Sequence, residues 1–358
     1  MKIFMMKEQN IKESLYDISL KITETEYRAA EGYSYSTLSK FHREGFDKIS
    51  SLFNKVESPS LLFGSMVDTL LTDGQEEFDN KYLVAEFPDT PDSIIAIVKD
   101  LFREFGITHR TLSIIPDKEI IGRAASFNYR NNWKPETRAK EIKEKGEEYY
   151  NLLFLSNNKT LVSTNDYQEA ITCVDILRNS PATKWYFESN NPFDNSIERF
   201  YQLKFKGEFE GIPLRCMMDL CIVCHDTKTI IPCDLKTSYK PEWNFYKSYL
   251  EWMYLYQSSL YYYILRQNLD KHPIYKDYTL LDYRFIVISK GTKVPLVWED
   301  KDTQKVGERY YGKNKQYYYE DWRTVLKDLN TYMKHPTRVP IGVEELKVND
   351  LQMWLNNE

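Results

Sequence analysis

From the start of the chain to about residue 190, apolar side chains recur at three- and four-residue intervals, the period of helices buried on one face. Residues 1–30 form a polar, helix-prone lead-in. Ser34-Tyr35-Ser36 then opens a helix whose first apolar positions are Leu38 and Phe41. The run LLFGSMVDTLL, Leu61 to Leu71, predicts a strongly apolar helix with one carboxylate, Asp68, closing at Asp73-Gly74. Pro88 and Pro91 mark a loop before a helix near 92–105. Residues 134–156 mix charge with helix formers and predict a solvated helix. Ser163-Thr164 starts another that continues toward Phe187, with Ala170, Val174 and Leu177 at helical spacing.

At Ile197 the period changes. Segments 197–209, 212–224, 229–237 and 283–289 are short, rich in Ile, Val, Phe, Tyr and Cys, and bounded by turn residues, so they predict strands. Residues 242–267 predict one long aromatic helix, residues 316–334 another, and the last twenty or so a mixed tail. Strands, a long helix and a further strand imply an α/β (α+β) core with a mixed sheet behind a mostly helical N-terminal region. The expected divisions are 1–190, 191–335 and a tail at 336–358.

A length of 358 residues suits two domains, or one core with a large embellishment. With 42% hydrophobic and 28% charged residues the balance is that of a globular protein, not a disordered one. No apolar run approaches the 18 residues of a membrane span, and the first residues turn polar too soon for a signal peptide. A cytoplasmic protein is the expectation. A net charge of −5 excludes a polybasic protein but not a nucleic-acid enzyme, which needs only a local positive groove.

The candidate chemistry lies in IPLRCMMDLCIVCHDTKTIIPCDLKT, residues 212–237. A turn at His225-Asp226-Thr227-Lys228 sets the hairpin register and places Asp219 opposite Asp234, their Cβ atoms about 5 Å apart. Lys236, two residues on, shares their face. The reverse face reads Cys216, Met218, Leu220, Ile222 and Cys224 against Ile231, Cys233 and Leu235, an apolar surface expected to be core. Two carboxylates facing each other repel unless a cation lies between them, and hard divalent ions take oxygen ligands.

Other chemistries fit less well. Cys221 and Cys224 point to opposite faces of a regular strand, and Cys216 and Cys224 stand about 26 Å apart along it, so the five cysteines are core thiols rather than metal ligands. The five histidines form no HxxxH or HExxH pattern, and no GxxxxGK[ST] is present. Basic residues cluster at 134–145 and 301–315, and Lys240, Lys247 and Arg266 flank the aromatic helix. Lys240 and Lys247 adjoin the hairpin and are the better phosphate contacts.

The pattern Asp219 and Asp234-Leu235-Lys236 resembles the PD-(D/E)XK nuclease superfamily, which has a restriction-endonuclease-like core. Gln257-Ser258-Ser259-Leu260-Tyr261 is similar to the QxxxY motif of its RecB- and RecE-type members, among them the exodeoxyribonuclease VIII-like phage exonucleases. Positions i and i+4 share a helix face, so Gln257 and Tyr261 point at one substrate or brace one site. The likeness extends over roughly 33–290, with its specific motifs confined to these five residues. It implies a Mg²⁺- or Mn²⁺-dependent deoxyribonuclease, most simply a 5′→3′ double-strand exonuclease of phage or prophage type. In that reading Asp219, Asp234 and the Leu235 carbonyl hold metal, and Lys236 supplies positive charge at the reaction centre. Gln257 and Tyr261 position the DNA strand. Where relatives carry a metal-binding His four residues after a Gly, this chain has Gly64 and Asp68, so the resemblance implies Asp68 as a ligand, with Glu198 as a further acid. A single-strand annealing protein and a homo-oligomer are partners implied by analogy. The alternatives are a non-catalytic DNA-binding protein on the same scaffold and a structure-specific endonuclease.

Overall fold

The computed structural model describes residues 14–334 apart from 55, 57, 306, 312 and 316, so the expected tail lies outside the described residues. Among the described residues the chain divides into two compact units, one formed by residues 14–58 and 177–334 and the other by 59–176. The boundary near 190 therefore does not follow the packing. Residues before 59 belong with the strands because Tyr33 bridges to Leu214 and Arg215 caps the Glu24–Ala29 helix. Its guanidinium donates there to the carbonyls of Tyr27, Arg28 and Ala30.

The unit of residues 59–176 is largely helical, and three of its helices fall where the sequence predicts them, whereas Gln75–Lys81 and Asp117–Ser126 are additional and Thr164–Asn179 stops short of Phe187. Pro59–Thr72 carries Asp68 and closes before Asp73-Gly74, and Asp92–Phe105 follows Pro91. Pro135–Leu155 begins with proline in its first turn, which suits a position whose N–H has no helical partner. A two-stranded parallel pair, Tyr82–Ala85 with Thr160–Ser163, was not expected, since each run is only four residues long. Within this unit Ile94, Val98, Leu112 and Ile142 form an apolar cluster. Gly146 lies in the tightest part of it, where an added Cβ would stand 2.6 Å from Val98 Cγ2. Gly146→Ala gains helix propensity of about 1 kcal/mol but overpacks by about 1–3 kcal/mol. A net loss of about 1 kcal/mol is expected in urea denaturation.

The other unit is built on a mixed sheet flanked by helices. Its strands in chain order are β1 (Ile197–Phe209), β2 (Ile212–Cys224), β3 (Thr229–Ser238), β4 (Thr279–Leu280), β5 (Tyr283–Ser289) and β6 (Pro295–Asp300). The sheet order is β1-β2-β3-β5-β6, with the short β4 also beside β3. β1, β2 and β3 pair antiparallel, β3 and β5 pair parallel, and β5 and β6 pair antiparallel. The parallel step needs a crossover. Residues 242–270 supply it, as two helices instead of one: α1 (Phe245–Glu251) and α2 (Tyr254–Asp270), broken at Met253, which sits left-handed at φ 58°. No Gly or Pro announces this break. Residues 317–319 pair with 309–311 as a hairpin, so the last described helix begins at Trp322 and not at 316.

The core of this unit lies between the sheet and α2. Leu255, Leu260, Ile264 and Leu265 of α2 cluster with Phe205, Met218, Cys221, Phe285 and Val287 of the sheet. Among the described residues no helix is long and apolar enough to cross a membrane.

Candidate active site

The β2–β3 hairpin has the register that the turn implied: Cys224 pairs with Thr229 and the ladder runs on to Leu220 opposite Cys233. There it stops. β3 continues against β5 alone, from Cys233 beside Arg284 to Ser238 beside Ser289, while β2 remains paired only with β1.

The cause is a kink in the other ladder. β1 and β2 pair on both sides of Gln202 and Asp219 but not at that position, and Gln202 is left-handed at φ 51°. Alternation breaks at this point. Cys216, Met218, Cys221 and Val223 all join the core under α2, and the Cys221 thiol lies 3.5 Å from the Met218 sulfur three residues away. The expected unbroken apolar face of Cys216, Met218, Leu220, Ile222 and Cys224 is thus corrected: Leu220 and Ile222 are buried but stand outside that core. Strand irregularities of this kind re-aim side chains and end pairing.

What the kink re-aims is Asp219. Its Oδ2 accepts the Leu235 backbone N–H at 2.9 Å, bridging the opening where the ladder ends. Asp234, one residue earlier on β3 and 3% exposed, faces α2, where its Oδ1 accepts from the Gln257 side-chain amide at 2.5 Å. Its Oδ2 forms an ion pair with the Lys236 ammonium, but neither that oxygen nor Gln257 Oε1 has a hydrogen-bond partner among the described residues. Lys236 lies 4.7 Å from the centre of the Tyr254 ring and 5.9 Å from that of Phe285. Burial alone would pull the lysine pKa down, yet the Asp234 carboxylate holds it above its ordinary value, with smaller help from Tyr254, Tyr35 and Asp219. The ammonium is therefore permanent at any physiological pH.

Of the residues singled out in the sequence, Asp219, Asp234, Leu235, Lys236 and Gln257 come together. Tyr261 comes with them as a core ring, 7% exposed and 6.5 Å from the Tyr283 ring. Its hydroxyl is pushed well above the usual tyrosine range, first by burial and then by Tyr27, Cys216 and the two aspartates. Neither Gln257 nor Tyr261 presents a surface to DNA, because both are buried, Gln257 as the brace of Asp234. Glu198 does not join them. It pairs with Val223, four residues and roughly 13 Å along β2 from Asp219, and its carboxylate bonds His225 Nε2 at 2.6 Å. His225 Nδ1 in turn meets the Tyr278 hydroxyl at 2.8 Å, so Glu198 clamps the hairpin turn. Asp68 lies on Pro59–Thr72 of the other unit.

Lys240 is ion-paired with Glu251, and Lys247 lies over the Tyr246 ring. Arg266 is structural, donating to Asp270 and to the Tyr278 carbonyl. Three site residues escaped the sequence reading: Tyr35, Tyr254 and Tyr283. Tyr254 alone left a signal, standing one turn before Gln257 on the same helix face. Tyr35 and Tyr283 reach the site from distant chain positions. The Tyr283 hydroxyl is buried with no hydrogen-bond partner among the described residues, and burial first, then the two aspartates, raises its pKa.

Comparison with known proteins adds a structural similarity. No family model and no curated protein matches the sequence. A solved structure named "Putative exonuclease", from Eubacterium rectale, is similar at 14% identity and a TM-score of 0.41, over 90% of this chain and 88% of that one.

Among the described residues no group of three or more His, Cys, Asp or Glu is arranged to hold a metal ion. The centre consists of two carboxylates and one ammonium on the sheet and one amide from α2.

Proposed function

We propose that this protein is a metal-dependent nuclease that hydrolyses DNA, working as an exonuclease of the RecE type. The observation that carries the reading is the gathering of Asp219, Asp234 and Lys236 where β2 parts from β3. A carboxylate pair beside a permanent cation suits a phosphodiester, whose negative charge grows during hydrolysis.

The donor set fits a hard divalent cation. Magnesium is commonly held by one or two carboxylates, with waters and substrate phosphates in the other positions, so two acids suffice. The buried Gln257 Oε1, without a hydrogen-bond partner among the described residues, and Asp234 Oδ2, which meets only the Lys236 ammonium, are oxygen atoms of the required kind. Asp219 and Asp234 would hold Mg²⁺ or Mn²⁺, with the Leu235 carbonyl as a third donor. Bound there, the ion supplies Lewis-acid activation of water and neutralises phosphate charge.

The rest is work for the chain itself. Gln257 locks the Asp234 carboxylate by one hydrogen bond, and the Leu235 amide locks Asp219 in the same way. Lys236 brings a fixed positive charge to the phosphate. Tyr254 and Phe285 wall its ammonium against water. The 5′→3′ polarity, the duplex substrate and a place in recombination come from the family resemblance.

The test is direct. Linear duplex DNA incubated with the protein and Mg²⁺ should release acid-soluble nucleotides, a 5′ label should leave before a 3′ label, and EDTA should stop release. No release with Mg²⁺ or Mn²⁺ overturns the nuclease reading, and equal attack on closed circles replaces exonuclease by endonuclease.

A further inference from the structure

We propose that residues 239–252, which lead away from the candidate site, are a stacking platform for a single-stranded stretch of DNA. The proposal deepens the nuclease reading and rests on it. β3 and β5 end side by side at Ser238 and Ser289, where the Lys290 N–H donates to the Ser238 carbonyl at 2.7 Å. Tyr239 begins three residues beyond Lys236, about 10 Å along an extended chain.

In the next fourteen residues four large rings stand in solvent: Tyr239 is 56% exposed, Trp243 66%, Tyr246 44% and Trp252 42%. This is not loose packing, because Phe245 and Tyr249 of the same stretch are 1% and 4% exposed. The segment separates its rings into a buried set and a displayed set. Three of the displayed rings carry a cation. The Lys290 ammonium lies 5.2 Å from the Tyr239 ring centre, Lys247 lies 5.7 Å from Tyr246, and the Arg43 guanidinium lies 4.8 Å from Trp252. The two acids nearby are already engaged, Glu251 by Lys240 and Glu242 by the Thr292 hydroxyl.

Displayed apolar rings are costly in water, and surfaces that keep several together mark a binding face. Rings alternating with cations match a ligand that offers a flat π-face and a negative charge at each repeat. A single DNA strand does so, whereas a duplex hides its base faces and an apolar protein surface would strand the three cations. A strand whose phosphodiester lies at Asp219 and Asp234 would run on over this platform with its bases unpaired.

The experiment uses the whole protein in EDTA, titrated with a short thymidine oligonucleotide while tryptophan fluorescence is followed. Stacking on Trp243 and Trp252 should quench emission, and Tyr239→Ala/Trp243→Ala should bind about a hundredfold more weakly, about tenfold for each ring. A blunt-ended hairpin duplex should quench far less. Absence of quenching, as expected if the rings take a protein partner, overturns the platform, and so does equal affinity in the double variant. Nucleotide release from linear duplex with Mg²⁺ is measured in parallel. Release without quenching leaves the nuclease and removes the platform, while quenching that the double variant loses, without release, leaves the platform and removes the nuclease.

Discussion

Asp234→Ala should reduce DNA hydrolysis by roughly a thousandfold or more, a loss typical of removing a residue that acts as part of a catalytic unit. The size follows from where Asp234 sits. One carboxylate meets the Gln257 amide through Oδ1 and the Lys236 ammonium through Oδ2, so its removal disarms two neighbours as well as removing the proposed metal donor. Asp234→Asn separates these roles, since an amide oxygen still accepts from Gln257 but lacks the charge for a cation. It should be as inactive as Asp234→Ala while keeping more of the fold's stability. Release of nucleotides from linear duplex reads activity, and urea denaturation reads stability. Undiminished hydrolysis by either variant would remove Asp234 from the reaction.

Lys236→Met should cost about 3 kcal/mol of stability in EDTA, because it leaves a buried carboxylate with no counter-charge. The Lys236 side chain is 18% exposed and that of Asp234 3%, so solvent screens the pair little. Lys236→Met/Asp234→Asn should recover most of the loss, since a pair of neutral groups needs no compensation. The pH sign is also set. A lysine whose native pKa is raised contributes stability that is whole below its unfolded value, about 10.4, and is lost only as pH rises through the native one. The stability difference between wild type and Lys236→Met should therefore show no lysine step between about pH 6 and pH 10. A double variant as unstable as Lys236→Met would show that the charge pair is not what the lysine serves.

Much of the fold was legible where structure is local. The four strand segments fall at Ile197–Phe209, Ile212–Cys224, Thr229–Ser238 and Tyr283–Ser289, because turn residues and β-branched runs act within a few positions. The hairpin turn was legible for the same reason, and with it the register as far as Leu220 against Cys233. Breaks that carry no turn residue were hidden. Met253 and Gln202 adopt left-handed backbone where nothing in their side chains favours it, so packing around them must impose it. Glu198 shows the reverse failure, since an acid at the start of a core strand looks like a ligand until His225 is seen to hold it.

The sequence alone assigned two acids and a base to neighbouring strands, and a Gln and a Tyr to one face of the helix after them. Period and turn length are short-range properties, so they are written in consecutive residues. Tertiary structure alone decided that Gln257 grips Asp234, that Tyr254 and Phe285 enclose Lys236, and that Trp243 faces water while Phe245 does not. Each of those outcomes depends on how the crossover helices lie on the sheet, which no local run of residues encodes.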